Sequence, residues 1–233
     1  MSHPDVSQNV NDMFAVGAHF GYSKTRRHPS TAKLIFTTKN KVDIINLEKT
    51  EEALAKAAEF VKGLSAKGKV VLFVGVKPEA KGAVLAGAQS VDMPYVTERW
   101  VGGVLTNWPE IKKRIARLVD LKEKKEAGEL DKYTKKERLL IDEEVAKMHK
   151  LFSGLVGMKK TPDAVFVVDA KREHIAVTEA HKMGVPVIAL TNTDTDIRTI
   201  EYPVVGNDGS VSSITYFVNK IVEAYKEGHS VKA

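Results

Sequence analysis

The sequence contains no cysteine. A disulfide framework, a thiolate zinc site, a cysteine nucleophile and an iron–sulfur cluster are therefore excluded, and the composition fits a reducing compartment. No apolar run approaches the roughly 18 residues that mark a membrane-spanning helix. The opening residues MSHPDVSQNVND lack the basic region and apolar stretch of a secretory leader, so the expectation is a soluble, intracellular chain. Neither G-x-G-x-x-G nor G-x-x-x-x-G-K-[ST] occurs after any apolar run, which removes both common phosphate-cradling fingerprints. H-E-x-x-H and G-x-S-x-G are also missing, leaving little support for a hydrolase.

Acid is missing locally as well. Between Asp12 and Asp43 there is no acidic residue, while Lys24, Arg26, Arg27, Lys33, Lys39 and Lys41 are basic, with His19 and His28 beside them. The whole chain has a formal charge of +6, so everything outside this window is balanced. Phe14, Phe20, Tyr22 and Phe36 lie among the cations, a mixture suited to phosphates and unstacked bases. The plainer reading is a solvated basic loop with core phenylalanines.

With 43% hydrophobic and 28% charged residues, the 233-residue chain can bury a sizeable core as one large domain, or one domain with an insertion. From Asn46, Leu54, Ala57, Val61 and Leu64 recur at helical spacing before a stop at Gly68. KVVLFVG then reads as a strand, and Pro78 opens a helix. The alternation returns with AVFVVD (164–169), the helical run AKREHIAVTEAHKM, its stop at Gly184, and VPVIAL (185–190). A short strand near YPVV (202–205) precedes a last helix from about Ser210. Fully apolar strands separated by helices predict a parallel sheet covered on both faces, hence an α/β body of three layers.

Residues 107–155 interrupt this pattern. Trp108, Ile111, Ile115 and Leu118 repeat at helical spacing in a highly charged background, and Ile141, Val145, Met148, Phe152 and Leu155 answer them. The narrow stripes predict an antiparallel coiled-coil helical hairpin of two helices of about 20 residues, projecting roughly 30 Å. Asn107 with Glu110, and Thr134 with Glu137, have capping-box spacing at the two helix starts. The expected division is a body of 1–106 and 156–233 with 107–155 inserted.

Candidate chemistry gathers where strands end at their carboxyl edges: Gly75, Asp169 and the cluster Asn192–Asp196. Asp169 reads as a helix N-cap. Asp169 and Asp194 as an acid/base pair define the alternative function, a nucleotide- or sugar-phosphate-binding enzyme. Residues 192–197 resemble part of a calcium loop, but Ile197 stands at its required glycine. His174 and His181 are about 10 Å apart along one helix, too far to share a metal. The segment RWVGGVLTNWPE (99–110) holds both tryptophans of the chain and a glycine pair at the junction of sheet and hairpin. Trp100 and Trp108 there fit either base stacking or a packed hinge, and Arg99 and Asn107 can reach phosphate or base edges.

VGAHFG (16–21), IFTTKNKVDIINLEKT (35–50), RWVGGVLTNW (99–108), YTKKE (133–137), PDAVFVVDAKREHIAVTEAHKMGVPVIAL (162–190) and GND (206–208) together resemble the bacterial-type small-subunit ribosomal protein number two family over nearly the whole chain. The resemblance implies a Rossmann-like parallel sheet flanked by helices with an inserted coiled-coil hairpin. It also implies a ribosomal protein that binds small-subunit RNA, has no catalytic activity, and supports docking of the large mRNA-binding ribosomal protein number one. The RNA contacts carry over to Lys24, Arg26, Arg27, His28, Lys33, Lys39, Lys41, Arg99, Trp100, Asn107 and Trp108. No cofactor, membrane or small-molecule substrate is implied, and the expected place is the cytoplasmic small subunit, or that of an organelle. Four departures from the family pattern stand out: Tyr22 replaces a usual histidine, Arg27-His28-Pro29-Ser30-Thr31 a usual Trp-Asn-Pro-Lys-Met, Asn192-Thr193-Asp194-Thr195-Asp196-Ile197 a usual Asp-Thr-Asn-x-Asp-Pro, and Gly209 a common aspartate.

Overall fold

A computed structural model describes residues 7–230, apart from the Asp131 side chain. Residues 1–6, half of the opening segment on which the expectation of no secretory leader rested, lie outside the described residues. Among those described, no helix is long and apolar enough to cross a membrane. The chain begins with helix α1 (Gln8–Ala15), followed by strands β1 (Phe20–Ser23), β2 (Ile35–Lys39) and β3 (Val42–Ile45). These strands form a small antiparallel sheet in the order β1-β3-β2, where a loop was one of the two expectations. Asn40 and Lys41 turn the β2–β3 hairpin, both with positive φ (51° and 65°).

Next come α2 (Leu47–Ala66), β4 (Val71–Val74), α3 (Pro78–Gln89) and β5 (Tyr95–Val96). Asn46 caps α2 by accepting from the Glu48 and Lys49 amides, and Pro78 occupies the first turn of α3, as the sequence predicts. Two paired helices follow, α4 (Trp108–Glu126) and α5 (Lys135–Phe152), and then β6 (Ala164–Val168), α6 (His174–Met183), β7 (Val187–Thr191), β8 (Tyr202–Val205) and α7 (Val211–Ser230).

The five longer-range strands make one parallel sheet in the order β5-β4-β6-β7-β8. Because β4, β6 and β7 are buried on both faces, alternate residues enter different cores. Val71, Phe73, Phe166, Val168, Ile188 and Leu190 pack with α2, α3 and α7. Leu72, Val74, Val165, Val167 and Ala189 pack with α6 and the base of the α4–α5 pair. That is the three-layer α/β body read from the apolar runs.

Helices α4 and α5 run in opposite directions, cross-linked by Arg117 to Glu144 (2.7 Å) and Lys125 to Asp142 (2.6 Å). Ile111, Ile115 and Leu118 of α4 and Phe152 of α5 are buried and continuous with the core beneath the sheet. Farther out, Ile141, Val145 and Met148 are half-buried, because only one helix covers the other. The Thr134–Glu137 capping box is present. The one expected at Asn107 is not: Asn107 makes no side-chain cap, and Glu110 pairs with Lys113 instead. Asp169 also departs from expectation. Helix α6 starts at His174, and Asp169, at φ 67°, accepts from the Arg172 amide to cap the turn that precedes the helix.

Candidate nucleic-acid interface

The order β5-β4-β6-β7-β8 reverses direction between β4 and β6, so the carboxyl ends of those strands flank the topological switch point where doubly wound sheets bind ligands. Here the chain's own side chains fill that point. Lys77, after β4, lies 3.2 Å from Asp169 after β6 and 3.6 Å from Asp208 after β8. Tyr22 contributes its hydroxyl 3.5 Å from the same ammonium, and Asn192 donates to Asp208 (3.1 Å). Burial disfavours the charge on Lys77, but Asp208 and Asp169 outweigh it and hold its pKa above the ordinary value. Burial, reinforced by Asp169, pushes Asp208 up to about 6 despite that lysine. Glu173, at the start of α6, is pushed up to about 7 by burial, with Asp169 adding to it.

The proposed acid/base pair is thus already engaged. Asp169 is held by Lys77, and Asp194 by Lys171 at 2.8 Å. Asp196 is clasped by the guanidinium of Arg198 (2.7 and 2.9 Å), which drives its pKa far down. Among the described residues no group of three or more His, Asp or Glu is placed to hold a metal ion.

The cluster 192–196 has another use, which the sequence reading missed: it pins the basic segment to the body. The Thr193 carbonyl accepts from the His28 amide and the Thr31 hydroxyl, both at 2.8 Å. Its hydroxyl accepts from the Tyr22 amide at 3.1 Å. Gly21 passes so close that a Cβ would sit 2.8 Å from the Thr193 methyl and 3.0 Å from the Asp43 carbonyl, so only glycine fits without a shift. Ser30 accepts from the Ile197 amide at 3.2 Å.

Of the residues named for RNA contact, Lys24, Arg26, Lys33, Lys39, Lys41, Arg99 and Asn107 are exposed. Arg26 lies over the Tyr22 ring at 5.7 Å. His28 is half-buried, bonded to the Ser30 hydroxyl at 2.8 Å. Three others are placed differently from the rest. Arg27 is a structural residue: its guanidinium makes a two-pronged ion pair with the fully buried Asp43 and donates to Thr38 (2.8 Å). That hydrogen-bonded pairing holds the Asp43 carboxyl below its ordinary range. Trp100 and Trp108 are only 7% and 8% exposed and belong to the core beneath the sheet, so neither indole is presented to a base.

The junction is instead organised by Glu179, an acid on the buried face of α6 beside Ala176 and Ala180. Its carboxylate accepts from the Trp100 indole (3.1 Å), the amides of Gly103 (2.8 Å), Leu105 (3.1 Å) and Thr106 (3.2 Å), and the Thr106 hydroxyl (3.1 Å). Burial alone would raise its pKa, yet these donors lower it. Gly103, at φ 95°, supplies the turn that aims the amides inward. An acid interrupting an apolar helical stripe was the available signal in the sequence.

The exposed aromatics lie elsewhere. Phe14 (62% exposed) stacks on His19 with centroids 4.4 Å apart, and His19 contacts Phe20 (49% exposed) at 4.1 Å. Phe36 is 73% exposed on β2.

Residues 13–228 match the family model described as Ribosomal protein S2. The chain is similar to a small ribosomal subunit protein uS2 of Sulfurimonas denitrificans, 41% identical over 224 residues that span 96% of this chain and 86% of that one. It is likewise similar to the uS2 proteins of Mycobacterium leprae (43% identical, 93% and 78% covered) and Bifidobacterium adolescentis (42% identical, 94% and 81% covered).

Two predictions follow from the buried carboxylates. Glu179→Ala leaves four nitrogen donors and one hydroxyl without their acceptor and should cost about 3 kcal/mol or more in urea unfolding at pH 7. Because the folded-state pKa of Glu179 is depressed, its contribution is full above the unfolded carboxyl value and should fade as pH falls through the folded one. Glu173 has the opposite sign: the native state retains a proton that the unfolded chain releases near 4.5, so its stability contribution falls as pH rises from there to about 7. Glu173→Gln should therefore be more stable than the parent by about 1–3 kcal/mol at pH 8, with the two converging near pH 4.

Proposed function

The chain belongs to the ribosomal protein S2 family, and on that premise we propose that it is a structural, non-catalytic component of the small ribosomal subunit that binds small-subunit RNA through its N-terminal sheet. The observation that carries this reading is the placement of Lys24, Arg26, Lys33, Lys39 and Lys41. They are exposed and lie in a stretch without acid: Lys24 and Arg26 on the short 3-10 turn after β1, Lys33 on the one before β2, and Lys39 and Lys41 at the β2–β3 hairpin, in a segment pinned to the body through Thr193. Arg27, the sixth cation of the window, is paired internally with Asp43 and ties the segment after β1 to β3.

Arg99, after β5, and Asn107, at the start of α4, are exposed and offer further contacts. Phosphate contact by such a surface fixes position and orientation rather than reading sequence. The body of 1–106 and 156–233 then carries the principal RNA contact, with 107–155 as an inserted unit. The assembly would work in the cytoplasm, where bacterial small subunits act.

The Phe14–His19–Phe20 stack supports a second contact, docking of the large mRNA-binding ribosomal protein number one. It is apolar and outward-facing, and α1, which carries Phe14, has no basic residue. A neutral aromatic surface suits a protein side chain better than a phosphate backbone.

Reversing Lys24, Arg26, Lys39 and Lys41 to glutamate, with Arg27 left intact, should block incorporation into small subunits while the thermal midpoint stays near that of the parent. With about six phosphates neutralised, the parent's affinity should drop about a thousandfold between 50 and 200 mM salt, and a flat response would refute the electrostatic contact. Phe14→Ser with Phe20→Ser should lower retention of protein number one on isolated small subunits and leave the salt-dependent RNA affinity unchanged.

A further inference from the structure

A cavity of about 560 Å³ lies at the edge of the parallel sheet opposite Lys77, where the strands begin. One wall is the loop between α3 and β5, and the other is residues 153–160, the link that returns the chain from α5 to β6. Both walls are fixed. Asp92 turns the loop at φ 53°, the Met93 amide donates to the Ala88 carbonyl (3.0 Å), and the Val71 amide donates to the Met93 sulfur (3.5 Å). Across the cavity, Gly154 lies so close to Tyr95 that a Cβ would stand 2.6 Å from its ring, and Met158 is buried with its amide on the Leu155 carbonyl (3.0 Å).

The lining is mostly apolar, with thioethers from Met93 and Met158 and the ring of Tyr95. Polarisable sulfur and a π face suit a planar aromatic ring better than a branched aliphatic chain. Polar groups stand round the same space: the side chains of Gln89, Tyr95, Ser153 and Lys159 have no hydrogen-bond partner among the described residues. The Gln89 carboxamide both donates and accepts, the pattern that matches the edge of adenine. Charge at the mouth favours an anion. Lys69 and Lys160 both turn to one carboxylate, Asp163 (2.9 and 3.2 Å), and Asp92 is the only acid of the lining, so three lysines with Lys159 face two carboxylates. An apolar enclosure of this size with a few convergent polar groups is the usual build of a small-molecule site.

We propose that this cavity binds an adenine nucleotide, with the base against Tyr95, Met93 and Met158, its edge on Gln89, and the phosphate on Lys159. A free nucleotide and an unstacked terminal nucleotide of RNA share this chemistry. The site binds without reacting, and its position gives binding a mechanical consequence: the ligand touches both the sheet and the link from α5, and so ties the root of the helical pair to the body. The inference stands apart from the RNA-binding reading, whose cations lie in the N-terminal segment.

Calorimetric titration of the full chain with adenosine monophosphate, adenosine and orthophosphate tests each part of the site. Adenosine monophosphate should bind one to one with a Kd below about 1 mM, adenosine about tenfold more weakly, and orthophosphate without saturation. Lys159→Gln, at an exposed position, should weaken the nucleotide about tenfold and leave adenosine unchanged. Gly157 lines the cavity and a Cβ there would meet nothing within 4 Å, so Gly157→Leu should abolish binding of both while the thermal midpoint stays near that of the parent. The proposal is overturned if the parent shows no saturable binding of the nucleotide, if Gly157→Leu binds it as the parent does, or if adenosine binds equally well and Lys159→Gln changes nothing. A phosphorylated adenosine tetranucleotide assigns the source and upholds the site either way: binding as tight as the mononucleotide's points to an RNA end, exclusion to a free nucleotide.

Discussion

A single buried carboxylate ties the two halves of this molecule together. Glu179 projects from α6 into a ring of amides and an indole contributed by the loop from Trp100 to Thr106, the loop from which α4 departs. An ionised acid is expensive to bury without donors, and donors clustered around an empty centre are equally unfavourable. Each therefore requires the other, and the requirement fixes the direction in which the helical pair leaves the body. The glycine pair and the tryptophans in RWVGGVLTNW serve this arrangement. They are chemistry of the interior that resembles, in sequence alone, chemistry of a binding surface.

The same exchange of an expected ligand for an internal one occurs at the switch point of the sheet. Where a nucleotide would meet the strand ends, Lys77 occupies the space between Asp169 and Asp208, and Tyr22 of the N-terminal segment closes over it. The fold keeps the geometry of a binding crevice while its interactions are satisfied from within. What remains outward-facing in that N-terminal segment are its cations Lys24, Arg26, Lys33, Lys39 and Lys41.

The α/β body was legible because its physics is periodic. Continuous apolar strands such as VLFV and AVFVV need cover on both faces, and the 3-and-4 spacing of Leu54, Ala57 and Val61 allows only one buried stripe. The acid-free window was legible as composition but not as structure: three short strands with irregular register leave no clean alternation. Individual side chains were least legible. Nothing local distinguishes Arg27, held by Asp43, from Arg26, which is exposed, because the difference is made by a residue on another strand. The tryptophans stayed open between stacking and hinge for a related reason, since an indole such as Trp100 that serves a carboxylate 79 positions away reads like one free to stack.

The pinning of the small sheet also has an order in time. Tyr22 and Thr193, which share a hydrogen bond, are separated by 171 positions. A chain made from its amino end exposes the cations of residues 24–41 long before the strand that anchors them exists, and domains settle as their parts emerge. The lysines are thus synthesised early but become a shaped surface late, once β7 and the loop after it are available. The fold itself delays a rigid polycation until the rest of the body is nearly complete.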